Sequence, residues 1–148
     1  MNGVEVMFSS KNTEWGTPQW LFDELDSIYH FETDVCATPE NAKCKRFFTK
    51  EQDGLKQEWT GVCWCNPPYG KGITGEWVKK AYESRAKTVM LLPVRTDTKW
   101  FHDYIVGQVG VSMMFLKKRI KFIGANNYAP FPCMIVVFDR FKEGDSEE

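Results

Sequence analysis

The chain has 148 residues, enough for one domain with a single core and one site, and its 43% hydrophobic and 15% aromatic content is that of a folded globular protein. A formal net charge of −1 argues against a generic nucleic-acid-coating protein, and no apolar run reaches the roughly 18 residues that a membrane span needs. The opening MNGVEVMFSSKN has no basic segment followed by an apolar core, so a cytoplasmic protein is expected.

Residues 1–14 are polar and read as a flexible N-terminal segment. A helix is expected over 17–29, with Thr17 as N-cap, Pro18 at the first helical position, and Leu21, Leu25, Ile28 and Tyr29 on one face. Thr33 to Ala37 is short and apolar and reads as a buried strand. Residues 39–60 look irregular, with a short helix at 40–45 and a turn at Asp53-Gly54. Val62 to Cys65 is the next strand, followed by Asn66-Pro67-Pro68-Tyr69.

From Thr74 a helix is expected, with Trp77, Val78, Ala81 and Tyr82 on one face, and then a strand over 88–93. A second helix over 98–106 precedes a strand over 110–116, and the strand 133–139 closes the fold. Strands alternating with helices imply an α/β protein with a mostly parallel central sheet, and the last two strands should form an antiparallel pair. Residues 15–141 would be one domain, and 142–148 (KEGDSEE) an acidic, disordered tail.

Charge and cysteine placement refine this. The tail holds four acids and one base, so residues 1–141 are mildly positive, with 18 basic against 16 acidic groups. Four of five positions in Lys117-Lys118-Arg119-Ile120-Lys121 are basic, which fits either a phosphate-binding surface or a solvated hairpin. The five cysteines read as buried free thiols, because there is no CxxC and His30 and His102 are isolated from one another; no metal site is expected.

The corner after Cys65 carries the chemistry. In open α/β sheets ligands bind beyond the carboxyl ends of the strands, which is where Asn66 to Tyr69 falls. Asn66 offers a side-chain carbonyl, Pro67 a backbone carbonyl on a constrained φ, and Tyr69 a flat ring suited to stacking on a base. Two converging carbonyls make a receptor for an NH2 group. An amine conjugated to an aromatic ring is a poor nucleophile, and accepting both its hydrogens favours a pyramidal nitrogen with its lone pair freed.

With that motif the sequence resembles the amino-group methyltransferases that use S-adenosylmethionine, and most of all the phage-type DNA N6-adenine methyltransferases (the phage Dam family). Trp15-Gly-Thr-Pro-Gln-Trp-Leu-Phe, Thr33-Asp-Val-Cys-Ala, Asn41-Ala-Lys, Asp53-Gly-Leu, Trp59, Asn66-Pro-Pro-Tyr, Leu92-Pro, Lys99-Trp-Phe and Arg119-Ile-Lys-Phe fall in that family's order, over about residues 10 to 138. The resemblance implies a Rossmann-like methyltransferase fold and methyl transfer to adenine N6 in double-stranded DNA, in a bacterial cell and encoded by a phage or prophage. Asn66, Pro67, Pro68 and Tyr69 would be catalytic.

The resemblance also implies that Thr17 and Pro18 lie beside the methionine part of the cofactor, where a helix N-terminus suits a carboxylate. Asp34 would take the methionine ammonium and Asp53 would face the adenine amino group, with Trp15, Cys36, Ala37 and Asn66 completing the cofactor site. The stretch Ala37-Thr-Pro-Glu-Asn41 departs from the glycine-rich turn common in this fold.

Phosphate contacts are expected from Lys71, Arg95, Lys99, Lys117, Lys118, Arg119 and Lys121. A chain this short leaves little room for a separate recognition domain, so either short loops read the DNA or another copy, in a homodimer, contributes. Methylation of cytosine N4 or of protein glutamine, and binding without turnover, are the alternatives.

Overall fold

In the computed structural model, which describes residues 16–141, the apolar runs become the strands of one mixed sheet. The segment 1–14, Trp15 and the tail 142–148 lie outside the described residues. The strands are β1 (Thr33–Asp34), β2 (Arg46–Phe47), β3 (Val62–Cys65), β4 (Lys87–Pro93), β5 (Val111–Phe115) and β6 (Cys133–Phe138), in the order β2-β1-β3-β4-β6-β5. The β1–β2, β1–β3 and β3–β4 pairings are parallel, whereas β6 runs antiparallel to both β4 and β5. This is a Rossmann-like α/β fold of the expected kind.

Alternation along the strands divides the core in two. Cys63, Cys65, Met90, Leu92, Met134, Val136 and Phe138 face one side, covered by α2 (Thr74–Glu83) through Trp77, Val78 and Ala81 and by α3 (Lys99–Tyr104) through Phe101. Trp64, Val89, Leu91, Cys133 and Ile135 face the other, covered by α1 (Gln19–Tyr29) through Leu21, Phe22 and Leu25. Ile120, Phe122, Ala125, Ala129 and Phe131, from the segment between β5 and β6, complete that second layer. The basic segment is thus neither a free hairpin nor wholly solvated: its apolar residues are core and its charges stay outside.

Three local expectations are corrected. The N-cap of helix α1 lies one residue later than expected, at Pro18 and not Thr17, so no side chain caps the helix, and the Thr17 hydroxyl is engaged by Asn66 instead. The strand expected over 33–37 ends at Asp34, because the Cys36 amide turns back to the Asp34 carboxylate. The helix expected at 40–45 does not form. Thr38 and Asn41 bond one another's amides through their side chains, and the Lys43 amide donates to Asp34 Oδ2 at 3.0 Å, so the backbone is held in a turn that leads into β2.

Asp53, at φ 56°, accepts the Leu55 amide and starts a 3-10 turn over Gly54–Lys56. That turn lies so close to the end of β1 that a Cβ on Gly54 would sit 2.1 Å from the Val35 carbonyl oxygen and 3.0 Å from the Trp77 ring. Gly54→Ala is therefore expected to lower stability by about 1–3 kcal/mol, as overpacking against backbone does, read as an earlier denaturant midpoint at unchanged slope. A variant as stable as the parent would rule out this close approach.

Candidate active site

Strand β3 delivers Asn66 to the carboxyl edge of the sheet, half-buried, with Pro67 buried behind it. Asn66 Nδ2 donates to Thr17 Oγ1 at 3.1 Å, joining the start of α1 to the end of β3. The amide nitrogen is thereby occupied, and the side-chain carbonyl is left as the free acceptor of the pair.

The rest of the corner is braced. Thr74 Oγ1 donates to the Pro68 carbonyl at 3.1 Å and accepts the Gly70 amide at 3.0 Å, so the first residue of α2 closes the loop around Tyr69. Tyr69 donates its hydroxyl to the Leu91 carbonyl at 2.8 Å, and its ring meets the edges of Phe122 and Phe131, each with centroids 5.9 Å away. Burial pushes the hydroxyl well above its ordinary range, so it stays protonated as a donor, while the ring as a whole is only half-buried. Tyr69 is therefore anchored at its tip. Thr74→Val, which keeps the shape and removes both bonds, is expected to slow methyl transfer about tenfold through misplacement of the corner, with a stability loss of about 1–3 kcal/mol. Parent-like turnover would show that the brace is dispensable.

Beside this corner lies a second cluster. Asp34, 3% exposed, accepts the Cys36 amide at 3.3 Å and the Lys43 amide at 3.0 Å. Burial raises its pKa to about 6 despite these bonds and the Lys43 charge. Lys43 Nζ reaches across to Gln19 Oε1 at 2.7 Å, tying the Asp34 loop to the first turn of α1. In that turn the first amides with a main-chain acceptor are those of Leu21 and Phe22, both to the Pro18 carbonyl, so the Gln19 and Trp20 amides point out of the helix end.

The turn after β1 explains why glycine is absent from it. Thr38 N donates to Asn41 Oδ1 at 2.7 Å and Asn41 N to Thr38 Oγ1 at 3.1 Å. Among the described residues only His30 and Asp53 combine positive φ with a side chain, so this turn makes no left-handed step that would require glycine. Ala37 gives its amide to the Phe48 carbonyl, which leaves only its methyl and carbonyl for a ligand. Asp53 commits Oδ1 to its own turn. Burial pushes the Cys36 thiol up to about 12, so it is no nucleophile at neutral pH.

The expected phosphate-binding residues sit on the same edge. Lys71 follows the corner, Arg95 and Lys99 follow β4, and Lys117, Lys118, Arg119 and Lys121 follow β5; all are exposed. Lys99 is held by Asp103 in an ion pair one helical turn away. Ile120 and Phe122 alternate with Arg119 and Lys121, and Phe122 touches Tyr69, so the basic segment is built onto the same core as the corner. Its position is fixed by the main-chain pair between Gly16 and Ile123.

Lys43, Gln19 and Thr74 were not singled out from the sequence. Thr74 carries a recognisable signal, a threonine opening a helix four residues after Gly70. Lys43 entered only as the last residue of the stretch Asn41-Ala-Lys, and the role of its amide leaves no mark on residue type. Among the described residues no helix is long and apolar enough to cross a membrane, and no three His, Cys, Asp or Glu side chains form a metal-binding group.

Comparison with known proteins identifies the family. The family profile described as DNA N-6-adenine-methyltransferase (Dam) matches residues 6–146. Over 128 residues the chain is 34% identical to the DNA N-6-adenine-methyltransferase of Haemophilus phage HP1 (strain HP1c1), covering 79% of this chain and 73% of that protein. Over 95 residues it is 34% identical to the DNA N-6-adenine-methyltransferase of Escherichia phage T1, covering 60% of this chain and 39% of that protein.

Proposed function

The chain belongs to the DNA N-6-adenine-methyltransferase (Dam) family and is an adenine-specific DNA methyltransferase, and we propose that Asn66 Oδ1 and the Pro67 carbonyl are its receptor for the adenine amine. The observation that carries this is the Nδ2 bond to Thr17, which leaves the Asn66 carbonyl free to accept. With both amine hydrogens accepted, the nitrogen is favoured in its pyramidal form, and the support strengthens as positive charge develops on it. No strong base is needed for this.

The methyl donor is S-adenosylmethionine, whose bound sulfonium supplies an electrophilic methyl. The residues fit such a group: Asp34 is a carboxylate whose burial disfavours its charged form and so suits an ammonium beside it, and the outward amides of Gln19 and Trp20 suit a carboxylate. Thr17 and Pro18 line the same helix end, and Asp53 Oδ2 would meet the adenine amino group of the donor. Cys36 and Ala37 contribute the wall of the turn.

Extracting a base from a duplex costs a few kcal/mol. Stacking on the anchored Tyr69 ring returns part of it, and contacts from Lys71, Arg95, Lys99, Lys117, Lys118, Arg119 and Lys121 to phosphate return more. The test is incubation with methyl-labelled cofactor and unmethylated double-stranded DNA, then nucleoside analysis. N6-methyladenine is expected; label in N4-methylcytosine or in protein glutamine, with none in adenine, would overturn the assignment.

A further inference from the structure

Strand β5 is the outer strand of the sheet, beyond β6. The Asp139 amide donates to the Gly110 carbonyl at 2.7 Å and the Leu116 amide to the Cys133 carbonyl at 2.9 Å, each within the register that pairs β5 with β6. Gly110, Ser112, Met114 and Leu116 therefore direct their main-chain groups at β6, and Val111, Met113 and Phe115 direct theirs away from the sheet. Edges of this kind are ordinarily blunted by lysine, proline or a bulge. Val111–Phe115 contains neither residue, pairs with β6 without interruption, and exposes Met114 and Phe115 by 54% and 59%, with Val109 92% exposed just before it.

We propose that this edge pairs with β5 of a second copy of the chain, antiparallel and two-fold symmetric about Met113. The occupant is a second copy because the edge complements itself. In that register Val111 lies opposite Phe115 of the other copy, twice, and Ser112 opposite Met114, so each exposed side chain gains a neighbour.

The result is a continuous twelve-stranded sheet whose two catalytic edges face opposite ways. Five residues per strand bury less than the roughly 1,200 Å² of stable complexes, so the dimer is a weak one.

Sedimentation of the full chain from roughly 1 to 300 µM tests this. The parent should self-associate over this range. Phe115→Pro removes one outward N–H and an exposed ring, and should stay monomeric with unchanged circular dichroism and unchanged methyl transfer per subunit. Should that variant lose its fold, Phe115→Lys keeps the N–H, sets a charge opposite Val111 and should likewise be monomeric. A parent that stays monomeric throughout, or a dimer that a folded Phe115 variant leaves intact, overturns the proposal.

Discussion

Asn66→Ala should transfer methyl groups about 10²–10³-fold more slowly than the parent in single-turnover assays, while its circular dichroism is unchanged. The magnitude is that of removing one preorganised partner from a developing charge. The lost acceptor is half-buried, and its loss leaves the Thr17 hydroxyl without its donor. Asn66→Asp is the informative companion. A hydroxyl can donate as well as accept, so Thr17 can turn its hydrogen toward the new carboxylate, whose second oxygen still meets the amine. The Asp variant should therefore keep far more activity than Ala. Equal damage from both would show that the Asn66 nitrogen, not its carbonyl, matters to the reaction, and undiminished transfer by Asn66→Ala would dismiss the receptor altogether.

This expectation depends on a contact that the sequence conceals. The run Val62 to Cys65 was readable as a strand because four consecutive residues are apolar and a proline pair stops them. The helix from Thr74 was readable because Trp77, Val78 and Ala81 share a face. The motif itself was readable from residue type. Its support was not: Thr17 reaches Asn66 across 49 positions, and a threonine before a proline looks locally like a helix cap. Local preference predicted the cap, and a tertiary bond took the hydroxyl instead.

The same cause hid the short strands. β1 and β2 have two residues each, too few for alternation to register, and they exist because β1 is paired on both sides. The Asp34 loop was illegible for a related reason. Its order comes from main-chain amides of Cys36 and Lys43, which every residue type carries. The basic stretch was ambiguous because its composition shows charge, whereas its fold depends on where Ile120 and Phe122 are buried.

Asp34→Asn should separate affinity from stability. In the ligand-free protein burial raises the Asp34 pKa from 3.8 to about 6, so the folded state holds this proton more tightly than the unfolded state. Its stabilising contribution is complete below about pH 3.8 and is lost as pH rises to about 6, a change on the order of 3 kcal/mol. Asparagine has no such charge to bury, but it turns an NH2 toward one of the two amides that Asp34 accepts, which costs a comparable amount. At pH 7.5 the two unliganded proteins should thus unfold within about 1–2 kcal/mol of one another, and the fall in stability between pH 4 and 6.5 should be shallower in the variant. Cofactor binding should respond oppositely. An ammonium beside the ionised carboxylate restores what burial removed, so parent affinity should decline as pH drops through about 6. The variant should bind about 30–100-fold more weakly at pH 7.5, without that inflection. Were Asp34 only a former of the turn, its replacement would cost stability and leave affinity alone. Calorimetric titration with S-adenosylmethionine at pH 5 and 7.5, beside urea unfolding at the same two pH values, distinguishes these outcomes.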